Sequence, residues 1–159
     1  MNKNIIKITF ISLLLIITFS RKGYAQATTD FVFVESTVED VHTLEQQFAN
    51  NSNVYFNSNP KPALYVFGQI CDNRMVDQLF IYVPTEPGVI KFGSGDITLS
   101  TIDDYANELA FLAEHVSGSI IFRSADVFSG SAGESLKEKL ESLSGLSIMM
   151  EENPQPFSN

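Results

Sequence analysis

Short apolar runs of β-strand composition recur along this chain, each followed by a stretch of helical periodicity. Residues 31–34 (FVFV), 78–83, 119–122 (SIIF) and 146–150 are such runs. Between them Val41, Leu44 and Phe48, then Tyr105, Leu109, Leu112 and Val116, then Leu136, Leu140 and Leu143 repeat at the spacing of one helical face. A helix between consecutive strands returns the chain to the same end of the sheet, so the strands pair parallel. The pattern predicts an α/β fold, a three-layer sandwich around a mostly parallel sheet.

Local signals add detail. Thr37 with Asp40, Ser100 with Asp103, and Ser131 with Glu134 have the spacing of helix-capping pairs, and Gly145 stands where a helix C-terminal glycine belongs. Residues 53–56 read as a strand. Residues 62–71 read as a helix, because Pro62 suits a first helical position and Ala63, Phe67, Ile70 and Cys71 share a face, although Val66 and Phe67 are also strand-like. Residues 89–92 and 96–99, separated by Gly93, Ser94 and Gly95, form a hairpin pattern. Thirteen Phe and five Tyr among 159 residues rule out a disordered chain, and the length fits a single domain.

The first segment has the layout of an export signal. Lys3 and Lys7 precede an apolar run over residues 8–19, and small residues follow that suit cleavage after Ala25 or Ala27. A retained N-terminal anchor is the competing reading, because Arg21 and Lys22 follow the run. The expected organisation is a signal peptide over 1–25, an α/β domain over 26–150 and an acidic tail over 151–159. Loss of the signal removes Lys3, Lys7, Arg21 and Lys22, leaving 6 basic against 19 acidic residues, a formal charge of −13. Phosphate backbones and anionic lipids are poor partners for such a surface. The chain is therefore expected to bind no nucleic acid and, once the signal is cleaved, to have no stable membrane insertion. A single cysteine, Cys71, excludes an internal disulfide and reads as a buried small hydrophobe.

Loops at the carboxyl ends of parallel strands are where chemistry gathers, which singles out residues 83–88 and 124–130. A nucleophile on one loop and a base on the other would make a catalytic site, yet neither residue type is there. Ser124 beside Asp126 lacks a histidine placed to serve it. His42 and His115 read as surface or capping residues, and no spacing suits a transition metal. Asp103 and Asp104 are explained by a helix start. The run 130–133 precedes a helix N-terminus, where the negative charge argues against an anion. Glu86, Asp96 and Asp126 are expected to gather as an acidic cleft suited to a basic peptide or a calcium ion.

The segments 79–93 (LFIYVPTEPGVIKFG), Leu99 with Asp104, Tyr105, Ala106 and Leu109, and 118–133 (GSIIFRSADVFSGSAG) resemble an uncharacterised domain of very large, repetitive bacterial surface proteins. That domain is similar to the caspase, clostripain and gingipain cysteine peptidases, and the resemblance runs from Phe31 to about Met150. It implies a caspase-like form of the sandwich. In that family the strand matching residues 79–83 ends in a Ser-His-Gly run carrying the general base; Val83, Pro84 and Thr85 stand there in this chain. The strand matching residues 120–124 ends in a Gly-Cys-Asn run carrying the nucleophile; here the residues are Ser124, Ala125 and Asp126. Without thiolate and imidazole the peptidase reaction has no means to proceed. The resemblance thus implies a pseudo-enzyme whose degenerate site positions are Pro84, Thr85, Ala125 and Asp126.

The functional expectation is an exported, non-catalytic binding or structural module in the periplasm or at the cell surface. Glu86, Asp96 and Ser124 form its candidate binding face, an unidentified protein or peptide is its partner, and no metal or cofactor is expected. The alternative is a hydrolase with a relocated site built from Ser124, Asp126 or Glu86. A third is a folded remnant with no surviving role.

Overall fold

A computed structural model of the chain describes residues 29–51, 53–58, 66–68, 74–124 and 126–151. The expected signal peptide, Cys71, Ala125 and the tail beyond Glu151 lie outside the described residues, as does most of the expected helix over 62–71, of which residues 66–68 are helical.

The strands are β1 (Thr29–Glu35), β2 (Val54–Asn57), β3 (Val76–Tyr82), β4 (Thr85–Glu86), β5 (Val89–Phe92), β6 (Gly95–Thr98), β7 (Ser119–Phe122) and β8 (Ser147–Met150). The helices are α1 (Val41–Gln47), α2 (Ala106–His115), entered through a 3-10 turn at Ile102–Tyr105, and α3 (Gly130–Ser144). A five-stranded sheet runs in the order β2-β1-β3-β7-β8 with every pairing parallel. The chain moves outward from β1 to β2 and then in the opposite direction through β3, β7 and β8. Crossovers of a single hand on the two sides of that reversal send helices to opposite faces, producing three layers.

The register sorts the side chains between those faces. Phe33 aligns with Ile81, and Leu79 with Ile120. Phe31, Phe33, Leu79, Ile81, Ile120, Phe122 and Ile148 point into the larger core with Phe67, Leu109, Leu112, Leu136 and Leu140. Their alternates Val32, Val34, Phe80, Tyr82 and Ile121 meet Leu44 and Phe48 from the α1 side. Burial on both faces is why the strands are continuous apolar runs. At the outer edge, the Ile148 N–H of β8 donates to Glu141 Oε1 of α3 at 3.1 Å. Among the described residues no helix is long and apolar enough to cross a membrane.

The capping pairs do not form. Residues 36–40 are turns, α1 begins at Val41, and Asp40 makes no side-chain cap bond. At the second helix Ser100 Oγ lies 2.8 Å from Thr98 Oγ1, while Thr101 Oγ1 donates to the Asp96 carbonyl at 3.0 Å. These hydroxyls tie down the end of β6 instead of the helix. α3 starts at Gly130, so Ser131 and Glu134 lie inside it, because close packing of Gly133 against the 127–128 turn sets where the helix begins. Gly145 does end α3, at φ 67° with its N–H on the Glu141 carbonyl at 2.8 Å. The expected hairpin of β5 and β6 forms, but its second strand starts one residue earlier, with Gly95 paired to Phe92 so that only Gly93 and Ser94 make the turn; it also gains β4, a two-residue strand too short to leave a pattern.

Candidate functional site

β3 delivers buried Val83 and half-buried Pro84 to the carboxyl end of the sheet, and the Pro84 carbonyl accepts from Lys91 N–H at 2.9 Å. That bond folds the β4–β6 hairpin back and projects Thr85 toward β7. The β3–β7 ladder extends one residue further, with Arg123 N–H on the Ile81 carbonyl at 2.9 Å, and then releases Ser124 and Asp126 beside Thr85.

The three side chains form one half-buried network. Thr85 Oγ1 donates to Asp126 Oδ1 at 3.0 Å and is hydrogen-bonded to Ser124 Oγ. Ser124 Oγ lies 3.4 Å from Asp126 Oδ1 and accepts from the Asp126 N–H at 3.4 Å. Both hydroxyls thus face the same carboxylate oxygen, and the serine proton is shared between Asp126 Oδ1 and Thr85 Oγ1. The serine has no imidazole beside it, and its neighbours are a hydroxyl and a carboxylate, the latter a weaker base than imidazole. The loop is braced from behind. The Asp126 carbonyl accepts from Ser129 Oγ at 2.7 Å, and the Val127 carbonyl accepts from Gly88 N–H at 2.9 Å. Gly88 has φ 75°, and a Cβ there would lie 2.9 Å from Ala132 Cβ, so glycine lets the hairpin turn seat on α3.

The imidazoles are committed elsewhere. His42 is exposed on α1 and pairs with Glu45 at 3.0 Å. His115 Nδ1 lies 2.9 Å from the Phe111 carbonyl, with its ring stacked on Phe111. Among the described residues no group of three or more His, Cys, Asp or Glu is placed to hold a metal ion. The acidic cleft expected of Glu86, Asp96 and Asp126 is divided by a lysine. Lys91 pairs with Glu86 and faces Asp96 across the hairpin, while Asp126 is held by Thr85. The hydrogen bond to Glu86 holds the lysine above its usual range, and the Glu86 and Asp96 charges act in the same direction.

Two further groups at this end of the sheet escaped the sequence reading. Glu35 closes β1 and is buried, accepting from Asn57 Nδ2 of β2 at 2.9 Å and lying beside the backbone amides of Gly93 and Ser36, the latter donating to the Asn57 carbonyl at 3.0 Å. Burial pushes its carboxyl above the usual glutamate range, against those contacts. A Cβ on Gly93 would lie 3.1 Å from Glu35 Oε1, so the end of the hairpin is shaped to the carboxylate. An acid ending an apolar run at a strand's carboxyl end was the available signal. On the α1 face Arg123, with only 4% of its side chain exposed, lies 4.8 Å over the Phe80 ring and pairs with Glu151 at 3.0 Å.

Fold and site together define a parallel α/β sandwich whose working loops converge beyond the carboxyl ends of adjacent strands. The chain belongs to the family described as "Domain of unknown function (DUF4347)", whose model matches residues 31–155. No curated protein and no solved structure matches it.

Proposed function

We propose that the chain is an exported pseudo-peptidase that acts at the cell envelope or surface by binding a protein or peptide. The observation that carries this reading is the Thr85–Ser124–Asp126 network. Thr85 lies on the loop that the resemblance likens to the base loop of caspase-like peptidases, Ser124 and Asp126 lie on the one it likens to the nucleophile loop, and the three side chains are bonded to one another. Such a surface offers donors and acceptors to a ligand and no activated nucleophile. The layout of the export signal and the likeness to domains of bacterial surface proteins support the location.

The test is a panel of fluorogenic peptides together with a thiol-reactive peptide probe on the purified protein. The reading expects neither turnover nor labelling; thiol-dependent cleavage overturns it. The contact of Ser124 with Asp126 favours one rival, a hydrolase with a relocated site. That rival requires a pH-dependent activity that Ser124→Ala abolishes, and Glu86, paired with Lys91, has no part in it.

A further inference from the structure

Beside the polar network lies an open groove of about 520 Å³. Pro87, Val89, Leu99 and Ala132 give it an apolar floor, and Thr98 and Ser100 add hydroxyls. Leu99 is one of two large apolar side chains strongly exposed among the described residues, at 49%. The groove begins where the network ends, because its Gly88 is hydrogen-bonded to Val127, the neighbour of Asp126.

The charges on the segments around this groove are one-sided. The lysines on the strand and helix that supply Val89 and Ala132 are paired: Lys91 with Glu86, Lys139 with Asp103 at 2.7 Å, and Lys137 with Glu141 at 3.9 Å. Asp104, Asp126 and Glu134 have no cationic partner among the described residues. The groove's own lining is uncharged, and an apolar floor on segments that continue into uncompensated carboxylates favours a ligand that is apolar and cationic at once. A second copy of the chain is disfavoured, since each carries a formal charge of −9, or −13 once the expected signal is lost.

We propose that this groove, together with Asp126, binds a basic segment of another protein. An apolar side chain of the segment sits on Leu99 and Val89, and a lysine or arginine reaches Asp126. The inference rests on the reading of the Thr85–Ser124–Asp126 face as a binding surface and adds the chemistry of the partner.

The probe is a short labelled peptide of alternating lysine and leucine, titrated into the full chain by fluorescence anisotropy, with a glutamate–leucine peptide beside it. Saturable binding of the cationic peptide alone is expected. Leu99→Ser and Asp126→Asn should each weaken it roughly tenfold, while Asp30→Asn, on a carboxylate at the opposite end of β1, should leave it unchanged. No binding, equal binding of the anionic peptide, or equal weakening by Asp30→Asn overturns the proposal. Loss with Asp126→Asn and none with Leu99→Ser removes the groove and keeps the polar face. Cleavage of the peptide overturns the pseudo-peptidase reading and leaves the groove standing. Self-association on sedimentation that Leu99→Ser abolishes would identify a second copy as the occupant and overturn it.

Discussion

Gly133 in the first turn of α3 is the position where a single methyl group should do most to the candidate site. An ideal Cβ there would stand 2.4 Å from the carbonyl carbon of Phe128, 2.7 Å from its Cα and 2.8 Å from the Val127 carbonyl oxygen. Ordinary contact between carbons begins near ~3.5 Å, so helix and turn must separate by about 1 Å. All three obstructing atoms are backbone, and no rotamer change relieves them. Overpacking of this kind costs about 1–3 kcal/mol, and the better helix propensity of alanine returns about 1 kcal/mol. Because all three contacts are with backbone and lie below 3 Å, the cost falls in the upper part of that range, about 2–3 kcal/mol, and Gly133→Ala should therefore destabilise the protein by about 1–2 kcal/mol net. It should also loosen the Gly88 N–H bond to Val127, because the displaced turn carries that carbonyl. Urea denaturation measures the first effect and hydrogen exchange at the Gly88 amide the second. Gly145→Ala is the control: nothing lies within 4 Å of its Cβ position, but φ is 67°, so the loss of about 1 kcal/mol is purely conformational and leaves Gly88 exchange alone. An unchanged or raised urea midpoint for Gly133→Ala would refute the close-approach argument.

Other perturbations test the buried charges. Because the folded protein raises the Glu35 pKa, it binds more protons than the unfolded chain between the two values. The associated stability is complete below the ordinary glutamate range and is lost as pH rises through the folded value, so the urea midpoint should fall across that window. Glu35→Gln should remove this component of the slope, and an identical pH profile in the variant would count against it. Arg123→Met replaces the guanidinium over Phe80 with an apolar thioether, removing charge and pair together, and should change stability by less than about 1 kcal/mol. Glu151→Ala leaves a guanidinium of 4% exposure with one carboxylate fewer and should cost about 1–2 kcal/mol, moderated because Glu151 is itself 38% exposed. If thermal melts rank these two variants the other way, the account of the pair fails.

The layered architecture was legible because burial on both faces gives FVFV and SIIF an unbroken apolar character that alternation would not. Gly145 was legible for a similar reason, since a left-handed helix end favours one residue. The capping pairs misled: spacing alone does not tell whether a hydroxyl turns to its own helix, and Ser100 turned to Thr98 at the end of β6 instead. At the site, Thr85 and Ser124 could be placed on neighbouring loops, but their bond depends on the tertiary meeting of β3 and β7. The role of Lys91 was hidden because it requires the hairpin register that sets it opposite Asp96. Glu35 was hidden because its partners come from β2 and from the hairpin, distant in sequence.

The bond from Ile148 to Glu141 has a consequence for crowding. An outer strand offers its spare amides to any extended neighbour, which is how sheets propagate from one molecule to the next. Here a carboxylate from the chain's own helix occupies one of those amides, on a strand only four residues long. On the β8 side of the sheet a neighbouring copy should therefore find a poorer template for strand addition than a bare outer strand would give.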